Sequence, residues 1–404
     1  METNIQTPGK GAYTGSSRNA LDASERLNKQ IFIEEQKSIF KNVWVPVCHE
    51  SELPEPYDFR TSSIGNDNVL ICRAPDGKIN ALLNVCPHRA MLIERRPRGS
   101  FLEGQASGNP KRITCMFHAW QFDMRGNCVY VAREKEGYQD RFCKDDAGLR
   151  RLRCSVNFGG FVWVNMNDQP VATLEEWVGD AFLSLEGHIN STPLEVVHYR
   201  KEFIDTGLKA RLLKMSDSVG AHSKQSLFNF GHFMTEDSKP GADTNEKKNS
   251  FPTPNAMQSI RVNLFPGFSF HLDGPTLNVS TVTPVNGNRL MIEYKSLAPQ
   301  GERETERNTR SQFYNANFGP FRAMEQHETK AEKQNEEKKQ ALANHLLHEW
   351  SRWMDEHPDG ESRLSELATR RSKNAILDKD EDLIGPKVVV ICLLYTSDAA
   401  DEVD

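Results

Sequence analysis

Cys86, His88, Cys115 and His118 are the residues whose types and spacing could do redox chemistry. They read Cys-Pro-His over 86–88 and Cys-Met-Phe-His over 115–118, separated by the 26 residues 89–114. Each short segment offers one thiolate and one imidazole. Two thiolates on one iron and two imidazoles on the other make a mixed-ligand [2Fe–2S] cluster, whose imidazoles raise the reduction potential above that of an all-thiolate cluster. A Cys2His2 zinc site is the competing reading. Structural zinc sites space their ligands C-x2–4-C and H-x3–5-H, and neither spacing joins these four residues.

The elements that must position them are legible. Residues 69–73 (VLICR) and 79–85 (INALLNV) are β-rich runs on either side of Asp76-Gly77, a hairpin dipeptide, and the second run leads directly to Cys86. ITCMFHAWQF (113–122) precedes a second turn, MRGN, and GGFVWVNM (159–166) reads as a buried strand. Segment 95–112, between the ligand loops, is basic at both ends and carries three glycines. Its plain reading is a solvated insertion; its functional reading is a docking surface for an electron-donor protein. Upstream, 1–23 is Gly/Ser/Thr/Asn-rich and expected to be flexible. A helix is predicted from Ser24, with Leu27, Ile31, Ile39 and Phe40 near helical spacing, running into Val43, Trp44 and Val45. The Pro-rich 52–59 is a connector.

From about 195 the pattern changes. VVHYRKEF, SIRVNLF, FSFHL, TLNVSTVTPV and RLMIEYKSLA read as strands of a larger sheet, the last two joined at Asn286-Gly287. Helices are predicted over 208–219, 303–316 and 323–356, the last preceded by Pro320 and ended by Pro358. The fold class is α+β. An all-β cluster domain with its N-terminal helix occupies 24–170, and a second domain of antiparallel sheet and helices occupies 171–390. CLLYTSDAADE (392–402) reads like translated sequencing adapter, so 391–404 is expected to be a non-native tail.

The chain of 404 residues suits two or three domains. Hydrophobic content of 37% allows a real core and 26% charged residues mark a soluble protein. A net charge of −6 gives no electrostatic case for nucleic acid or anionic membranes. No 18-residue apolar run offers a spanning helix, and the N-terminus lacks the apolar core of a secretion signal. Two of the eight cysteines go to the cluster; the other six lack the dense spacing of a secreted disulfide scaffold. The cytoplasm is the default compartment.

On these motifs the chain resembles the large (α) subunits of Rieske non-haem iron oxygenases. The resemblance covers roughly 25–345 and rests on Phe40 and Trp44, HESELP (49–54), C-P-H-R (86–89), C-x-x-H-A-W (115–120) and F-G-P (318–320). It implies a Rieske [2Fe-2S] domain followed by a helix-grip domain holding a mononuclear Fe(II) that binds O2. It also implies a small β subunit, a ferredoxin, an NADH-dependent flavoprotein reductase, and an α3 or α3β3 assembly. The 26-residue gap with MFHAWQFD is similar to members that oxidise methanesulfonate, and implies hydroxylation of that small acid to formaldehyde and sulfite. The alternatives are a ring-hydroxylating dioxygenase of an aromatic acid and an electron-transfer protein with a defective iron site.

Family members carry two iron-ligating His after a bridging Asp, in the pattern D-x2-H-x4-H. Here KMSDSVGAHSKQSLFNFGH (214–232) departs from it. Four residues separate Asp217 from His222, and Leu227 stands where the second His would be. The resemblance implies His222 as an iron ligand, His232 as the second, and Asp217 as the carboxylate linking cluster and iron. His232 has a second reading, as a packing residue of a Phe-rich segment. Aligned on F-G-P, Glu328 takes the place of the third ligand, with Glu325 and His327 as fallbacks. Compensating frameshifts through 206–226 would explain the altered pattern; genuine divergence would explain it equally. Lys209, Arg211 and Arg261 lie in segments suited to holding a sulfonate.

Overall fold

The computed structural model describes residues 16–103, 111–135, 142–189, 192–216, 223–238, 258–317 and 334–356. Among the predicted site residues, Asp217, His222, Glu325, His327 and Glu328 lie outside them, as does the tail 391–404.

Helix α1 (Ser16–Glu35) begins eight residues before the predicted start and takes in part of the segment expected to be flexible. No Gly or Pro occurs between 16 and 35, and Ala20, Leu21 and Ala23 are good helix formers. One π-turn, Gln36–Phe40, follows. Phe32, Glu35, Gln36 and Ile39 are buried, while Leu27 is 58% exposed.

The first half is three small antiparallel sheets. β2 (Asp58–Ile64), β3 (Asp67–Arg73), β4 (Ile79–Leu83) and β5 (Arg98–Ser100) form one, in the order β4-β3-β2-β5. The hairpin β3–β4 turns as the sequence predicts, with Gly77 at a φ of 81° that only glycine adopts freely. β6 (Ile113–Thr114), β7 (Gln121–Phe122) and β8 (Cys128–Tyr130) form the second. β1 (Val45–His49), β9 (Arg153–Asn157) and β10 (Phe161–Asn165) form the third, with β10 central and buried throughout. The first two sheets enclose one core that includes Phe59, Leu70, Leu82, Trp120 and Phe122 together with Cys86 and Cys115.

After the short helices α2 (Leu174–Val178) and α3 (Leu183–Ile189) comes a seven-stranded antiparallel sheet. Its strands are β11 (Leu194–Ile204), β12 (Lys224–Leu227), β13 (Phe233–Ser238), β14 (Gln258–Leu264), β15 (Phe268–Asp273), β16 (Thr276–Asn286) and β17 (Arg289–Pro299). The order is β11-β17-β16-β15-β14-β13-β12. Five strands coincide with the predicted runs; β12 and β13 were not foreseen, because KQSL and FMTEDS lack the β-branched alternation that marks a strand. Helices α4 (Leu208–Ser216), α5 (Glu304–Asn317) and α6 (Gln334–Glu356) complete the second half.

The halves share a core. Phe270 of β15 meets Phe161, Trp163 and Phe182 at ring-centroid distances of 5.1, 5.8 and 4.9 Å. Buried charges cross the same seam. Glu52 pairs with Arg60 of β2 at 2.7 Å and with Lys295 of β17 at 3.2 Å, and Arg60 reaches Glu293 of β17 at 3.9 Å. Asn28 Nδ2 donates to Asn288 Oδ1 at 2.9 Å, so α1 also rests on the second half.

Candidate redox centre and oxygenase site

Two matched loops carry the four ligand candidates. The first hangs off the chain three residues beyond β4, and the second closes the β6–β7 pair. In each, the Cys carbonyl accepts from the N–H four residues on, Ala90 or Ala119, at 2.9 and 3.0 Å. The Cys N–H donates to the carbonyl of Met91 or Trp120, at 2.8 Å in both loops. Ala90 and Ala119 take φ values of 54° and 55°, a left-handed turn that non-glycine residues adopt at a cost. Each tight turn aims a row of backbone N–H groups inward. Those of His88 and Arg89 reach the Cys86 sulfur, and those of Phe117 and His118 reach the Cys115 sulfur. Such N–H···S bonds favour negative charge on sulfur and tune a cluster's potential.

The structure brings the four side chains together. Cys86 and Cys115 are each 2% exposed, and their sulfurs are hydrogen-bonded to one another. The Cys86 thiol donates, which holds Cys115 down at about 6; that donation and burial push Cys86 up. The His88 and His118 rings lie 4.6 Å apart and half-exposed. Buried thiols on one side and surface imidazoles on the other fit a [2Fe–2S] cluster with its His-ligated iron outermost. Trp120 stacks flat on His88, centroids 4.8 Å apart and planes within 6°. Phe142 packs edge-on against Trp120 at 5.3 Å. The sequence reading has Trp120 as part of the C-x-x-H-A-W motif but gives it no role; stacking on His88 is that role.

Beside the second loop opens a cleft of about 620 Å3, lined in part by Arg95, Arg96, Arg112, Phe101, Met116 and Phe117. Met116 is 89% and Phe117 55% exposed, so the loop tip presents an apolar edge next to the cluster. Of the remaining described cysteines, Cys48, Cys72 and Cys128 are buried. Burial pushes the Cys72 thiol up to about 12 and the Cys128 thiol up to about 11, which suits inert packing residues.

The mononuclear iron site is a different matter. Among the described residues no group of three His, Cys, Asp or Glu side chains is gathered round a single metal ion, and the Cys and His pairs of the two loops suit a two-iron cluster instead. His232 corrects one expectation. It is 1% exposed, and both ring nitrogens are taken by the backbone: Phe265 N–H donates to Nδ1 at 3.0 Å, and Nε2 donates to the Trp177 carbonyl at 2.8 Å. Trp177 also packs edge-on against the ring at 5.0 Å. Burial holds its pKa down at about 3. With neither lone pair available, His232 is a packing histidine and not an iron ligand.

Comparison with known proteins agrees with this geometry. Residues 43–144 match the Rieske [2Fe-2S] domain family. The chain is 46% identical over 323 residues to methanesulfonate monooxygenase hydroxylase subunit alpha of Methylosulfonomonas methylovora, covering 74% of this chain and 78% of that one. It is 29% identical over 330 residues to 2-aminobenzenesulfonate 2,3-dioxygenase subunit alpha of an Alcaligenes species, covering 76% and 81%. In structure it is similar to naphthalene 1,2-dioxygenase from a Rhodococcus species, with a TM-score of 0.60, 18% identity, and coverage of 84% and 88%. The cluster loops, the α+β architecture and these relatives place the chain in the family of Rieske oxygenase α subunits, oxidoreductases that work as parts of multicomponent systems.

Proposed function

We propose that this chain is the large subunit of a Rieske monooxygenase that hydroxylates a small organic sulfonate, methanesulfonate first among them. The observation that carries it is the 46% identity to the methanesulfonate enzyme's α subunit across three quarters of the chain. That both sequence relatives named above are sulfonate oxygenases by name supports the same head group. The balanced reaction inserts one oxygen atom of O2 into a methyl C–H bond. The other leaves as water, using two electrons and two protons. The hydroxylated product then breaks its C–S bond to give formaldehyde and sulfite.

When bound, a Rieske cluster would supply one-electron transfer at a mild potential, and a ferrous iron would supply O2 activation. The chain's own part is positional. Cys86 and Cys115 would hold the buried iron, while the backbone N–H groups around them stabilise charge on sulfur. His88 and His118 would hold the outer iron, close to the surface where an electron must leave. Trp120 fixes the plane of His88. We assign the second iron to His222 and Glu328, with Asp217 as the link between centres.

The arginines at the cleft beside the second ligand loop support docking of a ferredoxin-type donor, itself reduced by an NADH-dependent flavoprotein. A small β subunit and an α3 or α3β3 assembly belong to the same reading. Seven free cysteines among the described residues suit a reducing cytoplasm. Among those residues no helix is long and apolar enough to cross a membrane.

The test is EPR of the reduced protein exposed to nitric oxide, followed by turnover with partner proteins. A Rieske signal together with a ferrous-nitrosyl signal, and formaldehyde and sulfite formed from methanesulfonate, are expected. A Rieske signal alone would overturn the oxygenase assignment in favour of an electron carrier.

A further inference from the structure

The seven-stranded sheet has two unlike faces. One is apolar, with Val262, Phe270, Leu272 and Val279 buried against the first half. The alternate residues are polar. Register places Gln225, Thr235, Arg261, His271 and Asn278 in one row across β12, β13, β14, β15 and β16. Arg261 Nη2 donates to His271 Nδ1 at 3.1 Å, and His271 Nε2 donates to Ser259 Oγ at 3.0 Å. His271 is thus a neutral acceptor for Arg261 and brings no charge of its own to offset the guanidinium. No ion pair among the described residues includes Arg261. Asp237 and Asp273 act on it only at longer range, and Arg211 of α4 repels it.

Three buried donors near this row have no partner: Arg211 Nε, Gln225 Nε2 and Asn263 Nδ2. Asn263 is 3% exposed and stands two residues along β14 from Arg261, on the same face. Asn278 Oδ1 is an unpaired acceptor in the row. A buried donor without a partner costs about 1–3 kcal/mol, and native interiors seldom keep several together. Burial also weakens the Arg261 guanidinium's hold on its proton, although the residue is not fully closed off from solvent. Orphaned donors beside two arginines call for a ligand that only accepts hydrogen bonds.

We propose that Arg261, with Arg211 opposing it from α4, forms the subsite that binds the oxyanion head of the substrate, a sulfonate or a carboxylate. This rests on the reading that the chain oxidises a small organic anion. A sulfonate offers three acceptor oxygens and one charge, enough for both guanidinium groups and an orphaned amide.

The experiment is calorimetric titration of the oxidised full chain with methanesulfonate and, separately, with benzoate, for wild type, Arg261→Gln, Arg261→Lys and Arg211→Gln. Rieske EPR on each variant checks that the protein is intact. Arg261→Gln is expected to weaken methanesulfonate binding by about thirtyfold or more, the loss typical of removing one partner of a buried charged pair. Arg211→Gln is expected to weaken it about tenfold, and Arg261→Lys to recover part of the loss. Should wild type bind benzoate and not methanesulfonate, with Arg261→Gln abolishing that binding, the subsite holds and the sulfonate reading fails. Should Arg261→Gln bind methanesulfonate as wild type does, the subsite is overturned and the sulfonate reading stands. Binding of neither anion by wild type overturns both. If Arg261→Gln does not fold, unchanged affinity in Arg211→Gln and Arg261→Lys overturns the subsite.

Discussion

At position 115 the proposed iron ligand is a sulfur, which oxygen replaces poorly. Cys115→Ser keeps the size and the inward N–H groups of Phe117 and His118 but offers a poor iron ligand. The visible absorption and the Rieske EPR signal are expected to vanish, with the fold retained by circular dichroism. His118→Cys asks a subtler question. Exchanging an imidazole for a thiolate adds negative charge at the outer iron, so the potential should fall by on the order of hundreds of millivolts, towards all-thiolate clusters. A redox titration followed by EPR reads it, and an unchanged potential would remove His118 from the ligand set. These four residues were legible because their chemistry is local: both ligands of a loop lie within four residues. The iron site was not legible for the opposite reason. Its ligands come from separated segments, and a His such as His232 looks the same in sequence whether its nitrogens face a metal or, as here, Phe265 N–H and the Trp177 carbonyl.

Elements are joined by a few buried charges, and these predict how stability responds to pH. Glu35 ends α1, is 3% exposed, and accepts from Trp350 Nε1 of α6 at 2.9 Å. Burial raises its pKa from 4.5 to about 7, against the lowering effects of the Trp350 bond and Lys209. A carboxyl whose folded pKa is raised favours the folded state when protonated. That stability is fully present below about 4.5 and is lost as pH rises through about 7. That rise corresponds to ~3 kcal/mol. Glu35→Gln keeps the acceptor and removes the charge, so its melting temperature should exceed wild type at pH 8 and match it near pH 5. Equal differences at both pH values would sink the idea. The seam between the halves has the opposite sign. Lys295 and Arg60 hold Glu52 below the usual carboxylate range despite its burial, and Lys295 and Lys201 do the same to Glu293. Their contribution is present at neutral pH and is lost as pH falls through those lowered values. Lys295→Met strips Glu52 of one partner, and a loss of about 3–5 kcal/mol is expected in urea unfolding. None of these pairings was readable in the sequence, since Glu52 and Lys295 lie far apart in the chain. The strands that carry them were. β3, β4, β10 and β14 to β17 read directly as β-rich runs, and Leu208, Leu212 and Met215 of α4 fall at helical spacing and are all buried. That regularity argues for a genuine reading frame through at least the start of 206–226.

Taken as a whole molecule, the chain leaves its most chemically valuable edge uncovered. The cluster loop ends in Met116 and Phe117, which are 89% and 55% exposed, and the Phe117 ring packs 4.0 Å from that of His118. A polar tip would cost nothing in folding, so an apolar one beside an electron-exit histidine implies a surface that is covered in use. The α-subunit assembly proposed here makes a second copy of this chain the cover, because an electron leaving His118 needs an acceptor within reach. Light scattering on purified protein should then show an oligomer, and Met116→Glu with Phe117→Glu should shift it towards monomer. The Rieske EPR signal should survive, since neither side chain is a ligand. Substrate-dependent oxidation of the pre-reduced cluster should slow by at least about tenfold. An unchanged oligomer with slowed reduction by the donor protein would instead assign this edge to donor docking. An unchanged oligomer with unchanged electron flow in both directions would show that the exposed tip serves neither contact.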